Sequence, residues 1–148
     1  MAFLNISSKT KKDILKKLDR SDYFKLSNPG TSRPELYNFA LALGCRRGYP
    51  TDITDAKEAL VREEYVANSR YIYSSVYFAE HVNNGHKEDL DNLIHAEETF
   101  ALADKFSNTG FEILSDFYES EADNVLAYKL IQEMDEMYQC FKDDLEKI

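Results

Sequence analysis

The spacing of apolar positions predicts helices along most of the chain. Ser7 or Ser8 can cap a short helix over about Lys9–Leu18, where Ile14, Leu15 and Leu18 form a narrow stripe among lysines. Asp22–Ser27 reads as a short extended segment, and Asn28-Pro29-Gly30 as a turn. Ser32 stands three residues before Glu35, a capping-box spacing with Pro34 in the first turn. Leu36, Phe39, Ala40 and Leu43 then recur at helical spacing, so a helix is expected over Arg33–Leu43 with Gly44 as its left-handed cap. Thr54 or Asp55 opens a helix to about Val82, striped by Tyr65, Ile72, Val76 and Ala79 and ended by Asn83-Asn84-Gly85.

Between Lys87 and Tyr118, Leu93, Ala96, Phe100, Ala103, Gly110, Ile113, Leu114 and Phe117 keep helical phase. The phase persists across Ser107–Gly110, which favours one continuous helix over a break there. Ala96, Ala103 and Gly110 lie seven apart, so a second helix could approach closely along that line. A last helix is expected over Ala122–Leu145, with Leu126, Leu130, Met134, Met137, Phe141 and Leu145 on its apolar side and acids outside. The expected fold is all-α: a single domain over residues 1–148, built as a bundle of four to five main helices with one short extended segment near Tyr23–Leu26.

Composition agrees with one packed domain. The 148 residues are 43% hydrophobic with 19 Phe and Tyr, enough for a real core, and three Pro and five Gly leave little punctuation. No apolar run is long enough for a membrane span, and Met1–Ile6 lacks the pattern of a signal peptide, so a cytoplasmic protein is expected. Cys45 and Cys140 show no metal spacing and read as two buried, reduced thiols.

Charge divides the chain. Residues 1–50 carry ten Lys/Arg against four Asp/Glu, and residues 51–148 carry eight against 23, so a basic front (+6) precedes an acidic remainder (−15). Such asymmetry bears on partners more than on fold. Lys9, Lys11, Lys12, Lys16, Lys17, Arg33, Arg46 and Arg47 are the candidate contacts for nucleic acid or another anion. The alternative is that this basic third docks on the acidic body of its own fold. In Gly44–Gly48, two glycines and two arginines suit a phosphate, or form only a helix cap and a surface turn.

Catalytic chemistry is sparse. Asp91, His95 and Glu98 could line one helical face, but the paired Glu-x-x-His motifs of di-iron bundles are absent, and a solvated polar face explains them equally. No carboxylate stands alone in an apolar stretch, and no nucleophile-elbow, Walker or dinucleotide motif occurs. Neither catalytic residues, metal ligands nor a cofactor are expected. Tyr65, Tyr71, Tyr73 and Tyr77 could stack on bases, although an aromatic stripe is more often core.

The stretch Tyr23–Gly44 and the later Ala101–Leu114 resemble small bacterial proteins encoded beside DNA-phosphorothioation (Dnd) genes, the Dnd system-associated proteins. The matching positions are Ala40, Ala42, Leu43 and Gly44, then Asn108, Gly110, Ile113 and Leu114; Phe106–Gly110 departs from the family's alanine-rich version. The resemblance covers about a third of the chain and carries over no catalytic residue. It implies a non-catalytic accessory or adaptor role in DNA modification or phage defence, through protein–protein contacts. The competing readings are a ribbon-helix-helix-like DNA-binding regulator using the basic third, an enzyme acting through Asp91, His95 and Glu98, and an acidic mimic of DNA. A protein partner is expected, nucleic acid is the second class of partner, a homodimer is a further arrangement, and no membrane is involved.

Overall fold

The computed structural model describes residues 1–15, 29–118 and 123–147. The extended segment expected at Tyr23–Leu26, and Lys16 and Lys17, lie outside these residues. The fold is a mainly helical bundle carrying a small two-stranded antiparallel sheet.

Strand β1 (Phe3–Ser7) opens the chain because Leu4 and Ile6 alternate with more exposed neighbours and bury completely. Ser7 ends it by capping: its Oγ accepts the Thr10 N–H at 3.0 Å, which starts α1 (Ser8–Thr10), continued by π-helical turns over Lys11–Leu15. The expected cap at Ser7 is therefore present. Strand β2 (Lys57–Arg62) pairs with β1, with Leu4 opposite Val61 and Asn5 opposite Ala59. Leu60 is thus an extra residue, a bulge that lets the adjacent Leu60 and Val61 both bury. This strand corrects the expected helix from Thr54 to Val82. Its sequence, KEALVR, has helix-forming residues, but pairing with β1 and burial of Leu60 and Val61 override that preference. A 3₁₀ segment (Glu63–Ser69) follows, and the regular helix α3 spans only Arg70–Asn83.

Helix α2 (Pro29–Arg47) starts before the expected capping box and ends after the expected cap. The left-handed residue is Gly48 (φ +80°), whose N–H donates to the carbonyls of Gly44 and Cys45 at 3.2 and 3.1 Å. Gly44 lies inside the helix, where it serves packing.

Helix α4 (Ala96–Tyr118) is the central element, crossing α2 over its middle. Leu36, Tyr37, Ala40 and Leu43 of α2 meet Phe100, Ala103, Phe106, Phe111 and Leu114 of α4 in one core. At the crossing, a Cβ built on Gly44 would overlap the Phe106 carbonyl, and one built on Gly110 would overlap the Ala40 carbonyl. Of the close approach expected along Ala96, Ala103 and Gly110, the contact is present at Gly110.

The helix is continuous through Ser107–Gly110. Those polar residues are buried and hold the loop after α2: Thr109 Oγ1 donates to the Tyr49 carbonyl at 3.0 Å and pairs with Thr51 Oγ1 at 2.7 Å. The interruption falls instead at His95, which is extended and separates α4 from a 3₁₀ segment (Lys87–Ile94). Arg70 and Ser74 of α3 hold the end of that segment by donating to the carbonyls of Ile94 and Leu93.

Tyr73 joins α3 to the centre, packing edge-on against Tyr37 and Phe100 at 6.2 and 5.1 Å between ring centroids. Its hydroxyl donates to Asn38 Oδ1 at 2.8 Å. Tyr73→Phe keeps the ring packing and loses that bond, so unfolding stability should drop by about 1 kcal/mol, read as a lower denaturant midpoint at unchanged slope.

Candidate functional site

Helix α5 (Asp123–Glu146) follows the expected boundaries but not the expected burial. It meets the body along one edge. Leu130 packs partly against the core, Lys129 Nζ lies 5.7 Å over the Phe117 ring, and Glu133 and Glu136 face Arg47 and Arg46 at 3.7 and 3.8 Å. From Tyr138 to Lys147 every residue is exposed. Tyr128, Ile131, Met134, Tyr138, Phe141 and Leu145 are each between 53% and 73% exposed. Three of these, Met134, Phe141 and Leu145, were expected in the core stripe. Their periodicity reports an amphipathic helix, not what covers it. The α2–α4 crossing already fills the core, and α5 reaches it only through its first half.

The exposed apolar positions 131, 134, 138, 141 and 145 alternate in steps of three and four, the spacing of a coiled-coil seam. A soluble protein rarely leaves so many large apolar side chains contiguous on its surface unless something docks there. The ion pairs behind the seam are long and partly exposed, so they orient α5 on the body more than they stabilise it.

Lys11, Arg46 and Arg47 face acids of the same chain. The Lys9 backbone N–H donates to Asp55 at 2.8 Å, and Lys9 borders an open cavity of about 320 Å³ whose wall includes Asp13, Asp52, Asp55 and Glu112. Lys11 Nζ sits 2.6 Å from Glu58, and its hydrogen bond helps hold that carboxyl below its usual range. Lys12 is exposed. Arg33 is half-buried, and its Nε has no hydrogen-bond partner among the described residues. Arg46 and Arg47 form the last turn of α2. The expected anion loop at Gly44–Gly48 is therefore helical through Arg47. At a helix C-terminus the unpaired groups are carbonyls, which oppose an anion.

One buried carboxylate escaped the sequence reading. Asp104 is 2% exposed on α4. Its Oδ1 accepts the Asn5 N–H and the Tyr37 hydroxyl, each at 2.8 Å, and its Oδ2 accepts Asn5 Nδ2 at 2.9 Å. Burial pushes its pKa up to about 6, against the pull of these donors, and burial with the nearby Asp104 charge drives Tyr37 far above its ordinary value. Asp104 lies four residues after Phe100 and three before Ser107, on the core face, but that spacing does not show what the carboxylate meets there. Both oxygens are occupied in tying β1 and α2 to α4. The arrangement is that of a structural tie.

Asp91, His95 and Glu98 do not share a helical face, because the chain breaks at His95. No group of three metal-ligating residues gathers among the described residues. Tyr73 and Tyr77 are core, whereas Tyr65 and Tyr71 are exposed, so the four make no common stacking platform. Both cysteines are free. Cys45 is half-buried, with burial and then Glu80 raising its thiol to about 11, whereas Cys140 is exposed on α5, which corrects the expectation of two buried thiols. No helix among the described residues is long and apolar enough to cross a membrane. A scan against protein-family models, a search of curated proteins and a search of solved structures each return no match.

Proposed function

We propose that this chain is a non-catalytic accessory or adaptor protein of a bacterial DNA-modification or phage-defence system, working through protein contacts made by α5. The observation that carries the mode of action is the exposed heptad-spaced stripe from Ile131 to Leu145. The setting rests on the resemblance of Tyr23–Gly44 and Ala101–Leu114 to the Dnd system-associated proteins. The DNA-binding alternative has less support, since Lys11, Arg46 and Arg47 already face Glu58, Glu136 and Glu133.

The test is affinity purification of the tagged protein expressed from its native locus, beside the same protein carrying Phe141→Glu. Wild type should bring down a partner chain in fixed stoichiometry, and the variant should lose most of it. Recovery of a lone monomer by wild type counts against the proposal, as does equal recovery by the variant. Phe141 is exposed, so the variant should keep the helical circular dichroism and melting behaviour of wild type.

A further inference from the structure

The exposed stripe of α5 has a chemistry that selects its occupant. We propose that α5 pairs in antiparallel fashion with α5 of a second copy of this chain, an inference that rests on the reading of α5 as a docking element. Ile131, Met134, Tyr138, Phe141 and Leu145 occupy alternating a and d positions of a short coiled coil. In that frame, Asp135 and Lys142 flank the seam on one side, both at e positions.

Orientation follows from those two charges. In an antiparallel pair, e positions face e positions. Placing Tyr138 of one copy against Phe141 of the other also sets Met134 against Leu145, and brings Asp135 beside Lys142 twice, once on each side of the two-fold axis. In a parallel pair, e faces g, and the g residues are Leu130, Met137 and Asp144. Asp135 would then find no cation.

The size is adequate. Met134, Tyr138, Phe141 and Leu145, each more than half exposed, with Ile131 at the edge of the seam, offer on the order of 500 Å² per copy, or about 1,000 Å² for two, the low end of specific interfaces and in keeping with a weak dimer. From Tyr138 to Glu146 every residue of α5 is exposed, so the body leaves that stretch open to a partner helix. A two-fold adaptor of this kind presents its remaining surfaces in duplicate.

Sedimentation of the purified full chain, from about 5 to 200 µM, should show a monomer–dimer equilibrium with a dissociation constant in the micromolar range. Phe141→Glu should weaken it roughly 100-fold or more. Asp135→Lys and Lys142→Asp should each weaken it by roughly tenfold, because each sets like charges opposite one another, and the double exchange should restore near wild-type affinity. Restoration is the signature of the antiparallel pairing. A dimer insensitive to both exchanges overturns the orientation and hence the inference. A wild-type monomer across this range, with native-locus recovery of a different chain still abolished by Phe141→Glu, overturns the second-copy inference and leaves the docking reading standing. A monomer whose native-locus recovery ignores Phe141→Glu removes both.

Discussion

Gly110→Ala should destabilise the protein by about 3 kcal/mol or more, and lower its melting temperature by roughly 10 °C. The direction is opposite to that of the same change on an open helix face, where replacing Gly by Ala gains roughly 0.5–1 kcal/mol. The difference is the neighbour. A Cβ at Gly110 would overlap the Ala40 carbonyl and come within 2.8 Å of its Cα, all of it helix backbone that has no rotamer to change. Relief requires α2 and α4 to move apart, which loosens Phe106, Phe111 and Leu43 around the crossing. Gly44→Ala should behave alike, since its Cβ would meet the Phe106 carbonyl. The double variant should cost less than the two single losses together, because one separation of the helices serves both. Gly48 and Gly85 provide the contrast. They have positive φ and nothing within 4 Å, so alanine there should cost only about 1–2 kcal/mol of backbone strain. Thermal denaturation of the four single variants tests the ordering; a Gly110→Ala protein as stable as wild type would refute the crossing.

That pair of glycines shows what periodicity can reveal. Gly110, on a seven-residue line with Ala96 and Ala103, was legible as a point of close approach because it lies within one long helix of steady phase. Gly44 was not, because a glycine after an apolar stripe looks locally like a helix cap, and only the partner helix shows its use. The strands were hidden for related reasons. FLNIS gives two buried positions in alternation, too few to outweigh the serine cap that follows, and KEALVR carries helix-forming residues in a segment that pairs with β1. For α5 the sequence settles the helix and its amphipathicity. Whether an apolar stripe is covered depends on how much core the other helices have already filled, which no local pattern contains. Asp104 was hidden by a similar limit: one acid on a core face reads as surface until Asn5 and Tyr37, 99 and 67 residues away in sequence, arrive beside it.

Asp104 should make stability fall as pH rises from about 4 to about 6. Its carboxyl titrates at about 6 in the folded chain, against 3.8 as its ordinary value, because burial disfavours the charge. Below about pH 4 both states hold the proton, and the group contributes its full favourable share. As pH rises, the unfolded chain releases its proton first and gains free energy the folded chain does not, so stability declines. Above about pH 6 both states are ionised and the contribution is gone. The difference amounts to about 3 kcal/mol. Exposed carboxylates such as Asp52 and Glu58, held low by Lys105 and Lys11, slope the other way at lower pH, so the raw profile mixes signs. Subtracting the profile of Asp104→Asn isolates the buried group. The amide cannot ionise and can keep an oxygen toward the Asn5 N–H and the Tyr37 hydroxyl, losing chiefly the bond from Asn5 Nδ2. Its stability relative to wild type should therefore climb by about 3 kcal/mol between pH 4 and pH 7. Asp104→Ala should instead cost about 3 kcal/mol or more near neutral pH, because it leaves the Asn5 N–H, the Asn5 amide and the Tyr37 hydroxyl without their acceptor at a buried junction. Denaturant midpoints from pH 3.5 to 7.5 separate the two effects. If wild type and Asp104→Asn run parallel across that window, the carboxyl is not desolvated in the way its surroundings imply. If they diverge with rising pH and Asp104→Ala lies below both, the cost of burying the charge is smaller than the cost of leaving its three donors unmet, which is why a carboxylate can persist at the centre of this fold.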